Sequence, residues 1–308
     1  MSPCCAFNKP SGSGLNMDKP LVSREPHIPQ PRAQRLDQYV AEQFPGISRA
    51  FSAKLINEGK VTVNDAVMDK PGYKIRGSTK IDINYELTEP EAVPSITLDV
   101  LYEDDDCAVI VKPMGLLTHS KGAHNAEPTV ATWLAERADM AGDRAGIVHR
   151  LDRATSGVMI VAKNTDALTF LQKQFSQRKA KKTYAAIVVG ALAQPHALID
   201  MPIERNPKMP QTFRVGTNGK PSQTEYEVIE SNGEFSQLIL RPTTGRTHQL
   251  RVHLAHLGHQ IVGDTLYKGF AADRLYLHAA SLEITLPNRE RKTFEAPTPA
   301  AFKTFMEQ

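Results

Sequence analysis

The chain has 308 residues, enough for one large domain and a small one, with 41% apolar residues and a formal net charge of +3. No apolar run approaches the ~20 residues of a membrane span, residues 1–30 lack the continuous apolar stretch of a secretory signal, and Cys4, Cys5 and Cys107 form neither a disulfide framework nor a metal knuckle. A disulfide scaffold and a membrane protein are thereby excluded, and a monomer in a reducing cytoplasm is expected.

Residues 1–31 are rich in Pro, Ser, Gly and Asn without periodic apolar positions, so a disordered tail is expected there, with Met17 an alternative start. Residues 32–88 are expected to form a small compact unit. Leu36, Tyr39 and Val40 recur at helical spacing before Pro45-Gly46. Ser48 is placed to cap a second helix that buries Phe51, Leu55 and Ile56 and closes at Gly59. Val61-Thr62-Val63, a turn at Asn64-Asp65 and a strand near Lys80–Tyr85 follow. The order Arg-Leu-Asp-Gln-Tyr-Val, Ser-Arg, Lys-Leu-Ile-Asn-Glu-Gly-Lys-Val-Thr-Val-Asn resembles the alpha-L RNA-binding domain, named after a ribosomal protein of the small subunit. The resemblance makes Arg35, Arg49, Lys54 and Lys60 candidate RNA contacts, although the unit's overall balance is only slightly positive. Asp65 stands where a glycine usually follows the turn Asn, leaving the turn type open.

Residues 89–95 contain Pro90 and Pro94 and are expected to be a linker. From 96 to 308, strands are expected at Leu98–Tyr102, Cys107–Lys112, Gly157–Lys163, Thr183–Gly190, Gln223–Ile229, Gln237–Arg241 and Leu277–Leu286. Helices are expected at Thr129–Ala138, Thr165–Gln177, Thr247–Leu257 and Pro299–Met306, the last capped by Thr298. Strands cluster without regular βαβ alternation, which predicts an α+β fold with a mixed, largely antiparallel sheet.

Charge is unevenly spread. Residues 173–220 hold nine Lys/Arg against Asp200 and Glu204, whereas residues 98–148 hold nine Asp/Glu against four Lys/Arg. A local basic block on a nearly neutral chain suggests a polyanion-facing surface, with a solvated helix end at Arg178–Lys182 the equally weighted alternative.

Chemistry concentrates in His149-Arg150-Leu151-Asp152-Arg153-Ala154-Thr155-Ser156-Gly157, between the apolar pair Ile147-Val148 and the strand-like Val158–Ala162. A charged tight segment on a sheet is where active sites tend to sit, and the bland alternative is a turn in which Asp152 pairs with a neighbouring arginine. Four further stretches stand out: Val111–His119, Lys181–Ala186, Gly219–Thr224 and Arg241–His253, the last containing Gly-Arg-Thr-His-Gln-Leu-Arg. The four histidines His248, His253, His256 and His259 lack zincin spacing and any Cys or Glu partner, so no metal or other cofactor is expected. The kinase His-Arg-Asp loop is interrupted by Leu151, and Ser156 is not in a Gly-x-Ser-x-Gly elbow.

Together these stretches, in this order, resemble the RluA/RluD-type pseudouridine synthase family over nearly all of 98–297, and an alpha-L domain precedes the catalytic domain in many members. The resemblance implies isomerisation of uridine in RNA, with cleavage of the N1–C1′ bond and reattachment through C5. It implies Asp152 as catalytic carboxylate, Arg251 as the cation that keeps it ionised, and Tyr184 as the tyrosine against uracil. Arg150 is implied to fill the space left by the swung-out base, and Arg205 to contact RNA, with Glu204 and Asn206 departing from a common glycine and histidine. Large-subunit ribosomal RNA is the expected partner, with transfer RNA as the alternative substrate. A catalytically silent RNA-binding assembly factor is the alternative function.

Overall fold

Apolar side chains from the first helix to Ile83 bury among themselves, and those from Leu98 onward do so separately. Two compact units result, one among the described residues up to 85 and one among those from 93 onward. The computed structural model describes residues 23–24, 33–44, 47–76, 79–85, 93–119, 127–138, 140 and 146–308. Apart from Ser23–Arg24, the tail expected at 1–31 lies outside the described residues, as do linker residues 89–92.

The small unit runs β1 (Ser23–Arg24), β2 (Gln34–Arg35), α1 (Leu36–Gln43), α2 (Arg49–Asn57), β3 (Val61–Val63), β4 (Ala66–Val67), β5 (Lys74–Ile75) and β6 (Ile81–Ile83). Leu36, Tyr39 and Val40 form the buried stripe of α1, and Ser48 Oγ caps α2 by accepting from the Phe51 N–H at 3.3 Å. The β3–β4 turn is settled by the backbone. Asn64 and Asp65 have φ of 51° and 66° between the paired residues Val63 and Ala66, the two positive angles of a type I′ hairpin. Asp is among the residues that tolerate this region, and Lys80 reinforces the turn, its N–H reaching Asn64 Oδ1 at 3.0 Å and its Nζ Asp65 Oδ1 at 2.9 Å.

The large unit runs β7 (Asp99–Glu103), β8 (Cys107–Lys112), α3 (Val130–Ala135), β9 (Ser156–Ala162), α4 (Thr165–Ser176), β10 (Lys181–Val189), β11 (His196–Asp200), β12 (Ile203–Arg205), β13 (Phe213–Val215), β14 (Gln223–Ser231) and β15 (Phe235–Pro242). It ends with α5 (Gln249–His256), a 3-10 turn (Thr265–Tyr267), β16 (Leu277–Thr285), β17 (Arg291–Glu295) and α6 (Ala300–Met306). One sheet has the order β11-β14-β15-β10-β16-β9-β8-β7, with β17 also on β16. Its single parallel pair is β16–β9; the remaining pairs are antiparallel, so the expected mixed, largely antiparallel α+β architecture is present.

Several local expectations differ. Ile147 makes only an isolated bridge to Val161 rather than a strand. The helix expected from Thr247 begins at Gln249 because His248 is left-handed, with φ 56°. Thr298 does not cap α6, whose N-cap is Pro299 without a side-chain hydrogen bond. Strands β11, β12, β13 and β17 were not anticipated. The edge strands β11 and β17 each bury one residue, and β12 and β13 are three residues each, too little alternation to recognise. Among the described residues, no helix is long and apolar enough to cross a membrane.

One register row organises the centre of the sheet: Lys112 pairs with Gly157, Gly157 with Ala279, Ala279 with Tyr184, and Tyr184 with Leu240. The exit of the 149–156 segment is thereby fixed relative to Tyr184 by strand pairing alone. Gly157 is required at the parallel junction, since its φ is 118° and a Cβ would lie 2.2 Å from the Ala279 carbonyl oxygen. Gly157→Ala should therefore cost about 3 kcal/mol or more, from strain plus overpacking. Gly115→Ala, with positive φ but nothing within 4 Å, should cost only the ~1–3 kcal/mol of strain. Equal losses in urea denaturation would refute the close-approach account.

Candidate active site

The segment before β9 is held by its own backbone. Thr118 Oγ1 donates to the Leu151 carbonyl at 2.9 Å, the Thr155 N–H to the Asp152 carbonyl at 3.0 Å, and the Gly115 N–H to the Arg153 carbonyl at 2.8 Å. Lys112, fully buried, adds donations from Nζ to Pro113 O and Leu116 O at 2.9 Å and to Arg153 O at 3.3 Å. Burial pulls the Lys112 amine down to about 8 against the field of Asp152, with Arg153 adding to the depression. At the segment's start, His149 stacks on Phe175 and accepts the Ile160 N–H at Nε2. Burial, with Lys182 nearby, drops this imidazole to about 3, so it stays neutral. At its end, Ser156 Oγ meets Arg274 Nη2 at 2.8 Å and His278 Nδ1 at 2.9 Å.

Asp152 pairs with neither neighbouring arginine. Arg153 turns to the Gly115 carbonyl and to Glu127. Arg150 points to His119, 3.5 Å from its Nε2. The partner of Asp152 Oδ2 is Arg251 Nη1, at 3.2 Å, from the first turn of α5. The same guanidinium makes two shorter bonds to Asp264, Nε–Oδ2 at 2.7 Å and Nη2–Oδ1 at 2.8 Å, and lies over the Tyr267 ring. Side-chain exposure is 9% for Arg251, 20% for Asp152 and 0% for Asp264. Burial opposes the charge on Arg251, but the Asp264 bonds and charge, then Asp152, outweigh it and raise its pKa. Gln249 seats the helix carrying Arg251, bonding Thr244, the Arg246 N–H, the Gln223 carbonyl and Thr224.

Asp152, Arg150, Tyr184 and Arg251 line one cavity of about 120 Å³, together with Lys182, Arg246 and His248. A second cavity of about 480 Å³ shares Arg150, Lys182, Tyr184 and Arg246 and adds Arg178. Burial, and then the charge of Asp152, push the Tyr184 phenol well above its usual range, so it is protonated at neutral pH. Lys182 donates to the Thr244 carbonyl at 2.9 Å, and burial lowers it to about 8. Lys182 therefore does not belong to a solvated helix end: it starts a strand and turns into the site.

Arg205, the remaining candidate of the large unit, is not among these lining residues. Arg205 donates to the Pro210 carbonyl and covers the Phe213 ring, beside a cavity it lines with Lys220 and Arg246. Glu204 pairs with Arg214 across β12–β13, and Asn206 Oδ1 accepts the Lys208 N–H. In the small unit, Arg35 and Arg49 both bond the buried carboxylate of Asp37, while Lys54 and Lys60 flank Glu58. Sequence reasoning missed Asp264, Tyr267, Lys112 and Lys182 as site components. The one available signal was Asp264, a lone acid after Gly263 in an apolar stretch. His253, weighed as a metal ligand, is occupied by Thr224 and the Met201 carbonyl.

The family model described as RNA pseudouridylate synthase matches residues 106–256, and the S4 domain model matches 34–81. Ribosomal large subunit pseudouridine synthase D of Escherichia coli is 41% identical over 243 residues, covering 77% of this chain and 73% of that protein. The chain belongs to the RNA pseudouridylate synthase family. The Vibrio cholerae protein of the same name is 39% identical over 287 residues, covering 86% of this chain and 88% of its own. Among solved family structures, human RNA pseudouridylate synthase domain containing 1 superposes with a TM-score of 0.56 at 30% identity, covering 69% of this chain and 87% of that one. Activity of this family is isomerisation, and the small unit is the family's S4-type RNA-binding module.

The Lys182 environment generates a signed prediction. Its folded pKa of about 8 lies below the ordinary lysine value of 10.5, so between these limits the unfolded chain binds more protons than the folded one. Stability from this group therefore rises with pH through that window and is flat below it. Subtracting the urea-unfolding free energy of Lys182→Met from that of the protein itself should give a difference that grows from pH 8 to 10.5. A pH-independent difference would show that the amine is not desolvated.

Proposed function

We propose that this pseudouridine synthase acts on uridine in large-subunit ribosomal RNA, with Asp152 as its catalytic carboxylate. The observation that carries the reading is the Asp152–Arg251 pair, at 3.2 Å, in a cavity shared with Tyr184. The names of the Escherichia coli and Vibrio cholerae relatives support the choice of RNA.

Arg251 gives Asp152 a cationic partner at 3.2 Å, and a carboxylate serves either as nucleophile or as base toward a ribose proton. The uracil loses its N1–C1′ bond, turns and rejoins through C5, so no atom is added and no external reactant is required. Tyr184, protonated and rigidly paired between two strands, packs against the base. Reaching a base stacked in RNA costs a few kcal/mol of unstacking, which Arg150 offsets by occupying the vacated place. The 32–88 unit holds structured RNA through Arg35, Arg49, Lys54 and Lys60, and Arg205 contacts RNA beside the active site.

Release of tritium from RNA carrying 5-tritiated uridine tests the chemistry. Asp152→Asn should cut the single-turnover rate by about a thousand-fold, and a variant that matches the unmodified protein would remove Asp152 from the mechanism. No release from ribosomal RNA, transfer RNA or total RNA would instead favour the assembly-factor reading.

The small unit is tested with Lys54→Glu, because Lys54 is 66% exposed in a loose 3.8 Å pair with Glu58. Arg49→Glu is the less clean variant, since it would set a carboxylate against Asp37. Lys54→Glu should weaken binding of structured ribosomal RNA and lower the slope of affinity against salt by about one ion, with a smaller effect on a short stem-loop. Equal losses on both RNAs would count against an accessory role for the unit.

A further inference from the structure

The left-handed residue that starts α5 carries an imidazole aimed at the proposed active site. His248 lines the cavity with Asp152, and its Nε2 lies 3.8 Å from Asp152 Oδ2, beyond hydrogen-bonding range. Its Nδ1 lies 2.9 Å from the Tyr267 hydroxyl, which also accepts the Phe213 N–H at 2.9 Å. These contacts decide the tautomer. With the phenol oxygen accepting from Phe213, the phenol proton needs an acceptor, and Nδ1 supplies it. The opposite arrangement would leave that proton without a partner and turn the Nε2 lone pair toward a carboxylate. Nδ1 is therefore the acceptor, and Nε2 carries the proton.

The ring is also immobilised. Phe213 and Tyr267 meet it edge-on at 5.6 and 5.7 Å, and its own carbonyl accepts the Val252 N–H at 2.9 Å. The charged groups around it are Asp152, Arg251, Asp264 and Arg150. Burial first, then Arg251 and Arg150 against the two carboxylates, lower its pKa, so the imidazole is neutral at pH 7.

We infer that His248 is a fixed hydrogen-bond donor, not a base, whose Nε2–H receives the uracil carbonyl oxygen that gains negative charge in the reaction. The inference rests on the reading of Asp152 as the catalytic carboxylate. When the N1–C1′ bond breaks, its electron pair stays with uracil and is shared among N1 and the carbonyl oxygens. If Asp152 adds to the ring instead, the displaced pair again reaches a carbonyl oxygen. When C5 bonds to C1′, the charge on that oxygen is withdrawn, and the C5 proton then leaves to solvent while N1 takes one up, so the ring ends neutral. No proton leaves His248 at any step, so the donor strengthens only while the charge is present.

Substitutions separate this role from a structural one. Gln places an N–H near the Nε2 position, whereas Asn does not reach it. Asn is one of the residues that adopt the left-handed region, so its backbone preference suits position 248. In the full-length protein acting on 5-tritiated large-subunit ribosomal RNA, His248→Asn should slow single-turnover release about a hundredfold, with RNA affinity within about twofold. His248→Gln should recover most of that loss. Asn and Gln variants of equal rate, or a loss confined to RNA affinity, would overturn the donor role. Nitrogen-15 spectra of histidine-labelled protein at neutral pH, assigned by the resonance missing in His248→Gln, should show a protonated Nε2 and bare Nδ1. Tyr267→Phe should mix the tautomers. A protonated Nδ1 in the unsubstituted protein would overturn the inference even with activity intact. Absence of tritium release by the unsubstituted protein would fail the isomerase reading and the uracil contact together, with the spectra still deciding the tautomer.

Discussion

One guanidinium between two carboxylates sets the terms for the rest of the site. Arg251 gives its paired, shorter bonds to Asp264 and a single 3.2 Å bond to Asp152. The division matters because a buried guanidinium needs a full counter-charge, and Asp264, with no exposed side-chain surface and no place in the cavity lining, supplies it. Asp152 is then free of that duty. It keeps a nearby cation, and its contacts with both Arg251 and His248 fall on Oδ2. A bidentate pair with Arg251 would engage both oxygens and make the carboxylate a structural anion, less available to a substrate.

Holding such a carboxylate at a fixed point requires a loop that does not behave as one. The carbonyls of Leu151, Asp152 and Arg153 are each engaged, by Thr118, by the Thr155 N–H, and by Gly115 with Lys112. Every one of these donors except Thr155 comes from the last residue of β8 or the segment that follows it, so this stretch also clamps the loop. Lys112 is the costly element, a buried amine depressed to about 8. Its three carbonyl partners match its three donors, which is the arrangement that makes burial of an ammonium tolerable. Ser156, linked to Arg274 and His278, closes the other end of the loop where β9 meets β16.

The parts of this arrangement that could be read from sequence share a property: their signal is local. Asp152 stands out because two arginines and a Thr-Ser-Gly run surround it, and long central strands such as Cys107–Lys112 stand out because nearly every residue is apolar. Tyr267 had no comparable signal and Asp264 only its isolation after Gly263, since their role depends on Arg251 arriving from another segment. Lys182 was counted with a basic block because charge counts carry no information about burial, and only the pairing of β10 with β15 and β16 reveals that it turns inward. The hairpin at Asn64-Asp65 shows the converse. Its missing glycine left the turn type open, and the backbone angles settle it, with Lys80, sixteen and fifteen positions away, holding both side chains.

If Asp152 is the carboxylate that reaches the nucleotide, its cavity faces an electrostatic conflict, because phosphates are repelled by that same group. The cavity lining resolves it by number and by depth. Arg150, Lys182, Arg246 and Arg251 surround the single Asp152, so the net field at the entrance attracts a polyanion. Packing four cations together would in turn be self-repelling. That repulsion is limited because Asp264 supplies a counter-charge to Arg251. A phosphate beside Lys182 would favour its charged amine and extend the pH range over which it stays cationic. Desolvation thus leaves Lys182 charged at neutral pH but brings its titration close enough that a neighbouring anion would shift it upward.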